Sequence, residues 1–297
     1  MPDIKIYLQE KKKVVDDALT GYMSSLEGNP PTIQKAMEYS LFAGGKRLRP
    51  ILTLASFEAV DGDPGRVLPF ACAIELIHTY SLIHDDLPAM DDDDYRRGVL
   101  TNHKVHGEAA AILAGDALLT EAFRIMTDSR VVSSMDPAVV LDVIHDISGA
   151  AGAPGMVGGQ MADVEAEGKE VDISHVEYIH THKTGALITA SVRAGGKLGG
   201  GSEEAIESLS SYGRTIGLAF QIIDDVLNVE GEEEVLGKSV GSDAGRGKAT
   251  YPGVLGINKS KETADAFINT AISSLKRFGD KAEPLKKIAR YIGDRKK

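Results

Sequence analysis

Tryptophan is absent from the 297 residues, cysteine occurs once, and aromatic side chains make up only 5% of the chain. The lone Cys72 excludes an intramolecular disulfide, and its apolar surroundings read as core in a reducing compartment, so the protein is expected to be cytoplasmic. No window is long and apolar enough to cross a bilayer, and Met1-Pro2-Asp3-Ile4-Lys5 lacks the basic start of a signal peptide. Basic charge is also short. With 33 Lys and Arg against 44 Asp and Glu, the formal net charge of -11 leaves no basic stripe for a nucleic-acid partner. Few segments alternate apolar and polar with the two-residue period of a half-buried strand, which leaves an all-α fold as the expectation.

What the chain does contain is helical periodicity. Ile4 to Leu26 forms one amphipathic helix closed by Gly28-Asn29-Pro30-Pro31, and Thr32 is placed to cap a second that ends at Gly44-Gly45. Lys46-Arg47-Leu48-Arg49-Pro50 reads as a turn before an apolar segment from Ile51, and a further buried helix covers Leu68 to Asp86. Helices are expected over 108–126, 137–148, 174–198, 202–229, 250–257, 263–278 and 284–291. The glycine-dense stretch from Gly149 to Gly159 lacks the lysine of a P-loop and reads as a close-packed bend or helix contact. Neither a repeat nor a low-complexity linker divides the chain, so residues 1–297 are taken as a single domain.

The densest chemistry lies in His84-Asp85-Asp86-Leu87-Pro88-Ala89-Met90-Asp91-Asp92-Asp93-Asp94-Tyr95-Arg96-Arg97-Gly98. Six carboxylates this close repel one another, and a hard divalent cation with oxygen ligands relieves that repulsion most readily. Arg96 and Arg97 follow with fork-shaped donors suited to phosphate, so metal and arginine can share one diphosphate ligand. Asp85 and Asp91 are too far apart in sequence to share a straight helical face, but Pro88 bends the chain between them. Asp92, Asp93 and Asp94 read as solvated. A second apolar helix ends in Asp224-Asp225-Val226-Leu227-Asn228, where Asp224 and Asn228 share a face and Asp225 turns away. Two such pairs facing each other across a bundle can build a metal site. Lys46, Arg47, Arg49, Arg96, Arg97, Lys183, Lys238 and Lys248 recur at breaks between helices, and as a set suit anion binding. His78 lies two turns before Asp85 on the same face.

Six blocks in order resemble the trans-prenyltransferases, the isoprenyl diphosphate synthases: Gly45-Lys46-Arg47-Leu48-Arg49-Pro50, Asp85 to Gly98, Gly159-Gln160-Met161-Ala162-Asp163, Lys183-Thr184-Gly185, Phe220 to Asp225, and Gly247-Lys248-Ala249-Thr250-Tyr251-Pro252. The resemblance covers almost the whole chain and implies an all-helical bundle around a deep cavity, with both aspartate motifs at its mouth. It implies magnesium, three ions in all, with Asp85 and Asp91 holding two and Asp224 the third. An allylic diphosphate is then gripped with Arg96, Lys183 and Lys238. Lys46, Arg49, His78 and Arg97, with Gly45 beside them, match the isopentenyl diphosphate site. Thr184 and Gln221 match positions near the developing carbocation, and Lys248 matches a further diphosphate contact. Tyr80, about 7.5 Å below Asp85 at about 1.5 Å per residue, and Ser81 match the floor of the product tunnel. A bulky Tyr80 favours farnesyl diphosphate over geranylgeranyl diphosphate. A homodimer is also implied.

Two other readings share the fold. A non-catalytic partner subunit of a heteromeric synthase is expected to have lost aspartates or diphosphate-binding cations, which this chain keeps, and a terpene cyclase has no use for Lys46, Arg49 and His78. A generic acidic metal-binding protein would bind magnesium without dependence on diphosphate. One residue departs from the family pattern: Asn228 stands where the second motif usually ends in aspartate, and it brings a carbonyl ligand but no charge. Asn228→Asp is therefore expected to lower the magnesium concentration needed for half-maximal rate, read from a magnesium titration of initial velocity; an unchanged requirement refutes a ligand role at this position.

Overall fold

The structure is a computed structural model and describes residues 3–62, 66–230 and 248–295. Helix α1 spans Ile4–Ser24, capped by the Asp3 carboxylate, which accepts from the Lys5 amide at 3.1 Å. Its buried residues, Val15, Leu19 and Met23, recur every four positions, as one apolar stripe requires. Helix α2 runs over Pro31–Leu41. Thr32 does not cap it: Pro30 holds that position without a side-chain bond, and Pro31 starts the helix because its fixed φ suits the first turn. The helix also stops at Leu41, short of the glycines.

Helix α3, Leu48–Ala59, begins earlier than expected, taking up Leu48, Arg49 and Pro50. Pro50 lies in the first turn, where a missing N–H costs no intrahelical bond. The chain reaches α3 through left-handed backbone at Gly44, Gly45 and Arg47, with φ of 97°, 119° and 52°. For Arg47 that conformation is costly, and the structure holds it by burial: its guanidinium donates to Glu75 at 2.8 Å, to Asp16 at 2.8 Å and to the Leu41 carbonyl at 2.6 Å. Arg47 therefore clamps α1, α2 and α4 together and does not join the other cations of its block.

Helix α4, Leu68–Asp85, is apolar all round and occupies the centre of the fold. It packs on α3 and on α6, Glu108–Met126. Between them lie a two-residue hairpin, β1 (Tyr95–Arg96) with β2 (Val99–Leu100), and the short α5, Asn102–His106. This antiparallel pair is the only sheet among the described residues. Then follow α7 (Ser129–Val132), α8 (Pro137–Ala151), α9 (Met156–Ala166) and α10 (Ile173–Ile179). A π-helical turn, His180–Gly185, joins α10 to α11, Ala186–Leu198. Helix α12 spans Glu203–Glu230, and beyond the next described residue, 248, come α13 (Tyr251–Leu255), α14 (Ile257–Ser274), a 3₁₀ segment (Lys276–Ala282) and α15 (Glu283–Gly293). One core gathers around α4, α6 and α8; a second gathers around α3, α11, α12, α14 and α15. No described helix is long and apolar enough to cross a membrane.

The Arg47 clamp gives a stability test. Removing one partner of a buried pair leaves an uncompensated charge, so Glu75→Ala is expected to cost about 3–5 kcal/mol in urea denaturation. Lys13→Ala, which breaks the exposed α1 pair between Lys13 and Asp17, should change stability far less.

Candidate active site

The end of α4 places the first aspartates. The helix stops at Asp85, and the chain turns back at Pro88, in a turn closed by the Met90 amide donating to the Leu87 carbonyl at 2.9 Å, so that the Asp91 amide donates to the Asp85 carbonyl at 2.9 Å. That hydrogen bond brings Asp85 and Asp91 together as the sequence required. Burial raises the Asp85 carboxyl above its usual range and its neighbours Asp91 and Asp86 push it further, with Lys183 and Arg96 opposing. Among the described residues no hydrogen bond or ion pair satisfies that carboxylate.

Its companions are held. Lys248 reaches Asp91 at 2.9 Å and Asp163 at 3.7 Å, and Lys183 reaches the same Asp163 oxygen at 2.7 Å. Asp163 is thus an anionic post that aims two lysines at the aspartates, a part its motif had not been given from sequence alone. Arg96 donates to Asp86 at 2.8 Å and to Asp93 at 3.2 Å, while Asp94 pairs with Lys104 at 2.6 Å. Asp93 is accordingly not merely solvated, since it helps to hold Arg96, while Asp94 is exposed and its pair with Lys104 lies at the surface. Asp92, exposed and with φ of 49°, matches the solvated reading.

The position of Lys183 depends on a feature invisible to periodicity. The π-helical turn widens the helix over His180–Gly185, and such turns are rare outside functional sites. Helix α9 seats against it through Gly159: a Cβ there would lie 2.1 Å from the Lys183 amide nitrogen. The glycine-rich stretch is a helix contact, as read from its composition.

Opposite stands a basic neighbourhood. Arg49 is half-buried, its guanidinium pushed down to about 10 by desolvation, and its Nε lacks a hydrogen-bond partner. His78 is held well below the usual histidine range, first by burial and then by Arg49, Arg97, Arg96 and Arg47, and is therefore neutral. Arg97 donates to the Gly44 carbonyl at 2.6 Å, passing so close to Gly45 that a Cβ there would lie 2.7 Å from its guanidinium. Gly45 earns its place twice, through φ of 119° and through this approach. Asp224 faces the same group: burial raises its carboxyl, while Arg295, Lys46 and Arg49 pull it down. Arg295 reaches Asp224 at 2.9 Å and lies over the Phe220 ring at 4.6 Å.

Asp225 turns away from Asp224, as helix geometry required, but into the protein, where it is 4% exposed. It accepts from Gln221 at 3.3 Å and from the Tyr251 amide at 3.0 Å, and pairs with His180 at 3.3 Å. Thr184 donates to Gln221 at 2.9 Å. Tyr80, buried in the α4 core, packs edge-to-face on His84 with ring centroids 5.7 Å apart, and the Asp85 charge, after burial, raises its hydroxyl. Ser81 donates to the His78 carbonyl at 2.9 Å. Lys238 lies outside the described residues.

The residues fit a magnesium site of a particular kind. Among the described residues no group of three or more His, Cys, Asp or Glu is arranged to hold an ion. Magnesium bound through one or two carboxylates, with phosphate oxygens and water completing its shell, asks for no more than an uncompensated Asp85 beside Asp91 provides.

Comparison with known proteins agrees with this geometry. Residues 30–292 match the model of the polyprenyl synthetase family. The chain is 52% identical over 271 residues to a farnesyl diphosphate synthase of Geobacillus stearothermophilus, covering 90% of each protein. It is 50% identical over 293 residues to a dimethylallyltranstransferase of Fischerella ambigua, covering 98% of this chain and 83% of that one. Among solved structures, an FPP/GFPP synthase from Zymomonas mobilis superposes with a TM-score of 0.87 at 37% identity, covering 98% of both chains. The chain belongs to the polyprenyl synthetase family.

Asp163 supports a test within this site. Replacing a residue that orients others typically costs about 10–100-fold, so Asp163→Asn is expected to lower turnover in that range. Circular dichroism should remain unchanged, since the carboxylate serves the two lysines and no helix cap.

Proposed function

We propose that this protein is a magnesium-dependent prenyltransferase that condenses allylic diphosphates, dimethylallyl and geranyl, with isopentenyl diphosphate in trans and head-to-tail, giving farnesyl diphosphate. The observation that carries this reading is an Asp85 carboxylate with no hydrogen bond or ion pair among the described residues, set beside the Lys248-bound Asp91, together with a separate basic group of Arg49, Arg97 and neutral His78. One side suits a metal-bound diphosphate and the other a diphosphate held by cations alone.

Asp85, Asp91 and Asp224 hold the ions, which when bound withdraw charge from the allylic diphosphate as its carbon–oxygen bond breaks. Lys183 and Lys248, freed from Asp163 and Asp91, turn to the phosphate oxygens, and Arg96 supports them. Lys46, Arg49 and Arg97 take the isopentenyl diphosphate, with His78 beside it. Being neutral, His78 offers a hydrogen bond without adding charge. The oxygens of Thr184 and Gln221 lie beside the allylic cation, which the isopentenyl double bond attacks; the proton then lost passes to the departing diphosphate. The apolar wall of α4 excludes water from the cation. Tyr80 floors the tunnel and sets fifteen carbons in preference to the twenty of a geranylgeranyl diphosphate synthase. The working form is a homodimer.

The test is direct. Purified protein with magnesium, dimethylallyl diphosphate and isopentenyl diphosphate should release a fifteen-carbon diphosphate, and Tyr80→Ala should shift the product to twenty carbons or more. No condensation product in the wild type refutes the enzyme; an unaltered product from the variant refutes the floor.

A further inference from the structure

The hairpin that carries Arg96 and Arg97 has little apolar support. Tyr95, Val99 and Leu100 are exposed, and a small cavity lined by Tyr39, Thr79, Asp86, Arg97, Leu100 and Asn102 lies beneath it. Two paired residues on each strand are too few for a hairpin to hold itself together in water. Its two-residue turn is left-handed at both positions, with φ of 55° at Arg97 and 81° at Gly98, which suits the twist of a hairpin but costs energy at a non-glycine residue. Like charge presses on it as well. Burial lowers the Arg97 guanidinium first, Glu75 opposes, and Arg47 and Arg96 lower it further.

Polar bonds hold the hairpin instead. At its base, Thr101 donates through its amide to the Asp94 carbonyl at 3.0 Å and through its hydroxyl to the Asp93 carbonyl at 2.8 Å. Those bonds are local and travel with the segment. Its place in the protein is set by α2: the Tyr39 hydroxyl donates to the Leu100 carbonyl at 2.7 Å, and the Asn102 amide donates to the Ala36 carbonyl and the Ser40 hydroxyl oxygen, each at 2.7 Å. Asn102 is 2% exposed. A peptide carbonyl only accepts, so the NH₂ end of that amide is fixed toward α2 and spends both of its protons there.

Helix α2 is also the segment that leads directly into Gly44, Gly45 and Lys46. Arg97 meets that loop at the Gly44 carbonyl, its one hydrogen bond among the described residues. The same helix therefore carries one wall of the basic group and, through Asn102, fixes where the other wall stands. Arg96 does not share this dependence, since Asp86 and Asp93 hold it directly. Helix α5 also packs on α6, so loss of the Asn102 bonds loosens the hairpin without releasing the whole segment.

We infer that Asn102 is a positioning residue which, by docking the hairpin on α2, sets Arg97 against Lys46 and Arg49 so that one diphosphate can engage all three. The inference rests on the proposed condensation reaction, in which those cations take isopentenyl diphosphate while Arg96 serves the allylic substrate. Loss of Asn102 then weakens the binding of one substrate and spares the other.

The test is steady-state kinetics on the full-length enzyme, with kcat and the KM of each substrate as readouts. Asn102→Leu, close in shape but without donors, is expected to raise the KM for isopentenyl diphosphate about 10-fold while leaving kcat and the KM for geranyl diphosphate within about twofold. In the Arg97→Gln background, where the guanidinium is already gone, Asn102→Leu should change the isopentenyl diphosphate KM less than about twofold, since residues acting as one unit do not add. If Asn102→Leu does not fold by circular dichroism, Tyr39→Phe, which removes only the neighbouring tether, takes its place with an expected rise of about threefold in the same KM alone. An unchanged KM for isopentenyl diphosphate, a parallel rise in both KM values, or full additivity with Arg97→Gln overturns the role of Asn102 while the condensation activity of the wild type stands. A wild type that makes no product overturns the proposed reaction, and the inference with it.

Discussion

Electrostatic repulsion among carboxylates at the end of one buried helix is the constraint around which this protein is arranged. Asp85, Asp86 and Asp91 are brought to the boundary of an apolar core, where burial and then the charges of Asp91 and Asp86 raise the Asp85 carboxyl. The fold answers with cations delivered from distant segments: Arg96 from the following hairpin, Lys183 from a widened helical turn, Lys248 from the segment before α13. Each is itself held by an anion, while Asp85 keeps no hydrogen bond or ion pair among the described residues.

The two halves of the site differ in how they hold charge, and under the proposed reaction that difference would divide the labour between two diphosphates. Around Asp85 the carboxylates gather, and Asp85 itself has no hydrogen bond or ion pair among the described residues. Around Arg49 and His78 the cations dominate, and the histidine is kept neutral by the company it keeps.

Much of this was legible in the amino-acid order because it rests on local rules. Paired aspartates at the ends of apolar helices, arginines beside a glycine turn and the all-helical pattern are set by residues near one another in sequence. What escaped was set by tertiary contact. Arg47 has the same residue type and setting as Arg49, yet Glu75 and Asp16, on other helices, draw it inward. Asp163 takes its meaning from two lysines 20 and 85 residues further on, and a π-helical turn has no apolar period to announce it. Gly159 offered the one usable signal, since a glycine within a helix marks a close approach. Helix limits erred where caps compete: Pro30 and Pro31 start α2 where Thr32 had the better side chain.

The contact between Asp91 and Lys248 spans 157 residues. On a ribosome adding about 5–20 residues per second, the aspartate therefore emerges about 8–30 s before the lysine that compensates it. For that interval the α4 end lacks this lysine, and the Arg96 hairpin, α6 and later Lys183 are the parts already made that meet it. Closing so long a loop also places this pairing among the late events of folding. The basic group of Arg49, His78 and Arg97 is thus assembled from the first third of the chain, whereas the Asp91–Lys248 pair waits for the last.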